Sequence, residues 1–485
     1  MGRIKNQLIS GIWWVAVSRY SALGIQFIVT IIIARILSPS DYGIIGLLTV
    51  FTAISNIIVE SGFGQALIQK GNADNKDFSS VFFLNLLISV FLYLLLFLSS
   101  KYIAIFYNIK VLEHLAKLLF LIIPINSVGL IHDIMLQRDM KFKKLAFVSV
   151  IAVIVSGLFG IIFAYKGFGT LALVYQLLIQ NTVKTIILII QNNWKPTFVF
   201  SISSIQELYP LSINLLGTGF IIVLFNNIYT ILIGRFYNSN DVGFYNQAKR
   251  FAEMASLTIT NIIFTVSFPA LVKFKSDIEK LREGYKKIID LTIFIVSPIM
   301  FLLIAISKNL FIVVLTEKWL PSVPYFNLLC IYGLTFPLHQ INTNILKVLG
   351  KGRMIFKIEV FRRVLLVISI LFTIKKGVSY LLIGQIITTL IIMFVNMYFS
   401  GKEVNLSLLK QIKHTLPYYS IGIVSFVVVY FFSDIFLSRF LTLMFQSFLF
   451  LIIYYFLNKI FMTNSYNEFQ GIVKNIKFNK KHQKA

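Results

Sequence analysis

Acidic side chains are scarce in this chain: 19 Asp and Glu stand against 45 Lys and Arg in 485 residues, a formal net charge of +26. Cysteine is scarcer still. Cys330 is alone, so no intrachain disulfide is available and a cysteine-based metal site lacks its ligands. Charged residues of both signs together make up only 13%. No loop between apolar runs exceeds about twenty-five residues, which leaves no room for a soluble catalytic domain. A Gly-Lys-Ser/Thr phosphate loop, a His-Glu-x-x-His metal pattern and a Gly-x-Ser-x-Gly elbow are all missing. These absences argue against an ATP-driven pump acting alone and against an enzyme. They call for no cofactor and no metal.

What the chain has is apolar surface. Hydrophobic residues are 57% of the total, and the mean hydropathy is +0.82. Runs long enough to cross a bilayer as a helix recur from end to end, without the short alternating strands of a membrane β-barrel. Fourteen spans are expected near 11–33, 42–63, 79–99, 115–135, 145–165, 170–190, 211–233, 244–268, 288–307, 324–346, 358–374, 378–399, 416–432 and 439–461. The basic excess lies between these runs, in alternate loops, so the positive-inside rule accounts for it and a nucleic-acid partner does not. With the N-terminus inside, about 30 Lys and Arg fall in inner loops and about 13 in outer ones. Both termini are therefore expected in the cytoplasm. The first run contains Arg19 and shows no small-residue cleavage site, so it reads as a retained span.

The chain also repeats itself at an offset of 200. Ala34-Arg35-Ile36 followed by Asp41-Tyr42-Gly43 returns as Gly234-Arg235-Phe236 followed by Asp241-Val242-Gly243. Six spans separate the copies, an even number, so the halves are parallel rather than inverted repeats. The expected fold is all-α: two six-helix lobes over 1–195 and 196–405, two additional spans over 406–465, and a basic tail over 466–485. Two similar bundles with a site between them are a transporter's layout. In the paired turns, Asp41 and Asp241 can cap the following helix, Gly43 and Gly243 permit tight packing, and Arg35 and Arg235 close the preceding span. That signal is structural.

Polar groups inside spans mark candidate cavity walls, because each costs several kcal/mol if it faces lipid. Arg19 shares a helical stripe with Gln26 on span 1. On span 2, Thr49, Ala53, Asn56 and Glu60 form a stripe, and adding 200 yields Lys249, Glu253, Ser256 and Thr260 on span 8. Arg250 either joins that stripe or snorkels outward, and Lys184 on span 6 can snorkel to the inner interface. Asn226 on span 7 and His339 and Asn342 on span 10 complete the candidates. Helix–helix glue through small and polar residues explains the same stripes, and the sequence leaves both open.

Four motifs in order carry a family likeness: Ala34-Arg35 with Ser38-Pro39-Ser40-Asp41-Tyr42-Gly43, then Gly62-Phe63-Gly64-Gln65-Ala66-Leu67-Ile68-Gln69, then Gln137-Arg138-Asp139-Met140-Lys141-Phe142, then Asp241-Val242-Gly243-Phe244-Tyr245-Asn246. They resemble the Wzx-type polysaccharide flippases, in the superfamily that also holds multidrug and toxin extrusion antiporters and lipid II flippases. The branch exporting colanic or teichuronic acid units is the most similar. The resemblance implies alternating access in the plasma (inner) membrane and a substrate of oligosaccharide on undecaprenyl diphosphate, destined for O-antigen, capsule or exopolysaccharide. It also implies polysaccharide polymerase and chain-length machinery as partners, and it leaves a coupling ion, proton or sodium, open. In the lipid II branch an arginine of span 1 lines the cavity and the last two spans form a groove for the lipid tail; Arg19 matches by span and depth. The alternatives are a drug or cation antiporter or a lipid II flippase of the same fold. A membrane polymerase or ligase fits less well, because it would need a large external loop.

Overall fold

The structure, a computed structural model, describes residues 2–433 and 435–461, with the side chains of residues 2–13, 15–19, 257–259, 261–262 and 265–266 outside that description. Among the described residues the chain is helical and forms no strand. In order the helices are α1 (Gly2–Ile36), α2 (Pro39–Glu60), α3 (Phe63–Gln69), α4 (Asn75–Tyr107), α5 (Val111–Leu119), α6 (Ile122–Arg138), α7 (Phe142–Tyr165) and α8 (Thr170–Gln191). They continue as α9 (Ile202–Phe236), α10 (Ser239–Lys273), α11 (Ile278–Val314), α12 (Ser322–Val348), α13 (Gly352–Thr373), α14 (Val378–Glu403), α15 (Leu408–Tyr430) and α16 (Arg439–Ile460).

Two of the expected spans are broken helices. Span 2 is α2 plus α3, interrupted where Ser61 and Gly62 take positive φ of 42° and 72°. Span 4 is α5 plus α6. Counted this way the sixteen helices make fourteen spans, as the sequence predicts. Among the described residues, ten segments are long and apolar enough to cross a membrane on those grounds alone. Several helices outrun their apolar stretch. At 37 residues α11 is about 55 Å long, against a hydrocarbon core of about 30 Å. Its charged first turns are held by ion pairs one turn apart, Lys280 to Asp277 and Lys286 to Glu283, both at 2.9 Å.

Contacts divide the chain into two units, Met1–Asn246 and Gln247–Ala485. This border follows packing, while the lobe border near residue 195 follows sequence repetition; α9 packs on α2, α3 and α4 and so sits in the first unit.

Polar bonds define two ends of the first unit. At one end Arg138 donates to the carbonyls of Ala73 and Gly71, Lys144 to that of Gln191, and Lys70 pairs with Asp77 and Glu207 at 2.8 and 2.9 Å. Those hydrogen bonds hold the Lys70 ammonium above the ordinary lysine pKa. At the other end Thr170 donates to Asp41, and the Ser40 and Ser239 hydroxyls meet at 2.7 Å. Against the first of these ends lies a core of Phe63, Leu67, Phe78, Val81, Ile131 and Ile134, with Arg138 over the Phe78 ring at 5.4 Å.

The second unit is centred on Leu281, Tyr285, Ile289, Leu338, Ile341 and Met397. The last two helices, α15 and α16, both pack on α11. Tyr454 donates to the Phe294 carbonyl at 3.1 Å, and Gly422 lies against the Phe301 ring.

Candidate functional site

A cavity of about 220 Å³ opens in the first unit among α2, α6 and α8. Helical spacing builds it. Asn56 and Glu60 are four residues apart on α2, Asn126 and Asp133 seven apart on α6, and Lys184 and Thr185 face them from α8. Gly129 brings α6 and α8 together, since a Cβ there would come within 2.9 Å of Thr185 Oγ1. Thr185 also donates across the helices to the Ile125 carbonyl at 3.1 Å.

The charges in this cavity are mixed. Lys184 Nζ lies 3.1 Å from Asp133 Oδ2, and Gln137 donates to Asp133 Oδ1 at 2.8 Å. Glu60 is within electrostatic reach of both Lys184 and Asp133. One ammonium thus faces two carboxylates. Asn56 and Glu60, expected from sequence, belong to this site. Lys184 pairs with Asp133, where snorkelling to the interface was the expected use of its length. Asp133 and Asn126 were missed; a lone carboxylate inside an otherwise apolar run was their available signal.

The related stripe on α10 divides. Lys249 Nζ stands 3.9 Å from Glu253 Oε1, both partly exposed. They share electrostatic reach of Tyr332 on α12 with Arg362 and Arg363 on α13, and Glu359 holds Arg362 at 2.7 Å and Arg363 at 3.9 Å. Arg250 is half-buried beside them in sequence and engaged by neighbours. Further along, Ser256 and Thr260 are buried: Thr260 donates to the Ser256 carbonyl, and Gly333 packs on Ser256. That half of the stripe is helix packing.

His339 and Asn342 sit elsewhere, in a buried network of the second unit. Tyr285 Oη lies 2.9 Å from Gln411 Oε1 and bonds Asn342 Oδ1, which also accepts from Ser400. Asn396 Nδ2 donates to His339 Nδ1 at 2.8 Å, so the ring is neutral with its proton on Nε2. Asn342 is fully buried and His339 is 5% exposed. Asn226 is exposed on α9, and Gln26 is half-buried on α1; neither lines the cavity. The Arg19 side chain and the tail over 466–485 lie outside the described residues.

The repeat turns meet within the first unit. Ser38 is the N-cap of α2 and Asp41 completes its capping box; Asn238 takes the same place before α10 and accepts from the Asp241 amide at 2.9 Å. A Cβ on Gly43 would fall 1.8 Å from the Ser239 carbonyl oxygen, and one on Gly243 would fall 1.9 Å from that of Pro39. Arg235 lies over the Phe106 ring at 5.0 Å, and Arg35 is exposed. Among the described residues no three His, Cys, Asp or Glu side chains are grouped to hold a metal ion.

Comparison with known proteins places this architecture. The profile of the family described as "Polysaccharide biosynthesis protein" matches residues 32–324. This chain belongs to that family. Among similar family-level relatives, the teichuronic acid biosynthesis protein TuaB of Bacillus subtilis is 28% identical over 355 residues, covering 73% of each chain. The lipopolysaccharide biosynthesis protein WzxC of Escherichia coli is 24% identical over 400 residues, covering 81% of each. Among solved structures, the lipid II flippase MurJ in an inward closed conformation superposes with a TM-score of 0.72 at 17% identity, covering 92% of this chain and 98% of that one. An inward-facing multidrug transporter of the MOP superfamily superposes at 0.60 and 15% identity, covering 81% of this chain and 98% of its own. At such identities these two define the fold. The Wzx-type resemblance read from the sequence holds in both family and fold.

Proposed function

We propose that the protein moves oligosaccharide units linked to undecaprenyl diphosphate from the inner to the outer leaflet of the plasma membrane by alternating access. The observation that carries this reading is a polar, charge-bearing cavity built by three membrane spans, in a chain of a polysaccharide biosynthesis family. Lipid-facing helices have no use for Glu60, Asp133 and Lys184, whereas a sugar crossing a bilayer needs such groups to replace its water. Loose polar contacts suit transport, because tight binding slows release. Both termini lie in the cytoplasm on this reading, with polymerase and chain-length machinery receiving the product outside.

The test is direct. Purified protein in liposomes should transfer a fluorescent lipid-linked oligosaccharide to the leaflet where an added lectin or glycosidase reaches it. Equal transfer in protein-free liposomes, or transfer of a fluorescent cationic drug in place of the lipid-linked sugar, would reject the reading.

A further inference from the structure

The first-unit cavity has the composition of a sugar site rather than an ion site. Its volume of about 220 Å³ has room for many waters at about 10–15 Å³ of such space each, and so for one pyranose ring with its hydroxyls. Vicinal hydroxyls both donate and accept, so they are matched by planar groups offering two atoms at once. Glu60 and Asp133 supply carboxylates, Asn56 and Asn126 amides, and Lys184 a donor. Val59, Leu130 and Leu188 add aliphatic surface for the C–H face of a ring. A bound cation would instead need several oxygens free to converge on it. Lys184 and Gln137 already bond Asp133, so a cation would have to displace the Lys184 ammonium, whereas a sugar hydroxyl can donate to the lone pairs that remain.

The charge balance sets a preference among sugars. Asp133 matches Lys184, so no ammonium is left over to hold a uronate carboxylate, while a neutral or amino sugar needs none. The site also lies toward the end of the first unit where α2, α6 and α8 finish, the end that holds Arg138, Lys144 and Lys70. On the flippase reading with cytoplasmic termini this is the loading end.

The geometry points to a monosaccharide subsite here: one neutral or amino sugar of the lipid-linked oligosaccharide seats among Asn56, Glu60, Asn126, Asp133 and Lys184, in preference to a uronic acid. The subsite rests on the flippase reading for its physiological ligand, but glycoside binding can be measured without transport.

The experiment uses the full-length protein in lipid nanodiscs, free of sugar-headed detergent, probed with methyl glucoside, methyl glucosaminide and methyl glucuronide by saturation-transfer NMR. The neutral and amino glycosides should bind, with the glucuronide about tenfold weaker, equivalent to about 1.4 kcal/mol. Asn56→Leu should abolish binding of all three. Glu60→Gln should bring the glucuronide close to the neutral glycoside, and the exposed position of Glu60 keeps the fold out of question, which a melting curve verifies. Equal binding of all three glycosides unaffected by Asn56→Leu would overturn the subsite. So would an absence of glycoside binding with a sodium- or pH-dependent melting shift lost in Glu60→Gln, which would make this a cation site. If the glycosides bind as expected but liposomes show no lipid-linked sugar transfer, the flippase reading fails and the subsite stands.

Discussion

The contact between the two repeat turns yields a sharp test of the fold's working parts. Gly43→Ala would place a methyl 1.8 Å from the Ser239 carbonyl oxygen, and Gly243→Ala would place one 1.9 Å from that of Pro39. Both opposing atoms are backbone, so no side chain can swing aside. Ordinary van der Waals contact requires the turns to part by about 1.5 Å, which also breaks the 2.7 Å bond between Ser40 and Ser239. Overpacking of this kind costs about 1–3 kcal/mol and the lost hydrogen bond about 1 more. The sum, about 2–4 kcal/mol, shifts the closed contact by at least roughly thirtyfold. The assay is a cross-link. Ser40→Cys with Ser239→Cys, in a Cys330→Ala background that removes the one native thiol, should form a disulfide detectable by mass spectrometry. Either glycine substitution should then lower the cross-linked fraction sharply. The double substitution should cost little more than either single one, because the first alanine already separates the turns. Unchanged cross-linking in both single variants would refute the argument.

Three further outcomes follow from the same geometry. Tyr285→Phe removes the hydroxyl shared by Asn342, Ser400 and Gln411, so it should lower stability by about 1–3 kcal/mol in thermal melts while transport per folded molecule stays normal; loss of transport at normal stability would return that network to a substrate role. Asp77→Ala removes both the reciprocal cap on Asp74 and the partner of Lys70, at a cost of about 1–2 kcal/mol, whereas Glu207→Ala at the exposed end of the same cluster should cost less than about 1. Because its partners hold Lys70 protonated above 10.5, that contribution is intact at neutral pH and fades only as pH rises past the raised value. Arg19→Gln should leave protein abundance normal while lipid-linked units accumulate inside the cell, and Arg19→Lys should retain part of the export, as expected if the guanidinium attracts the diphosphate; a fall in abundance would instead assign Arg19 to a structural ion pair, and normal export at normal abundance would remove both roles.

The spans were legible in the sequence because the apolar runs are long and unalternating, which among membrane-spanning structures fits helices and not barrel strands. Their interruptions were harder. The break at Ser61 and Gly62 follows from positive φ at two residues, and the break before α6 follows from Pro124, which has no N–H for the Phe120 carbonyl four residues back. Helix overhangs such as the first turns of α11 were invisible to hydropathy, since charged residues there keep helical spacing outside the lipid. The site was half legible for a related reason. Asn56 and Glu60 share a face by spacing alone, but the pairing of Lys184 with Asp133 joins helices far apart in sequence.

Polar residues within spans show why composition cannot assign a role. Asn342 and Glu60 would each be costly facing lipid, and each avoids that cost differently. What separates them is the partner supply on the adjoining helices. Around Asn342, α11, α14 and α15 deliver Tyr285, Ser400 and Gln411, and every polar group is satisfied within the protein, leaving nothing for a ligand to replace. Around Glu60, α6 and α8 deliver Asp133 and Lys184 across an open space, so satisfaction is left to whatever enters. The repeat turns follow a third logic. Their offset of 200 makes the contact reciprocal, each glycine meeting the carbonyl four residues before the other. A side chain at either position therefore damages the same interface.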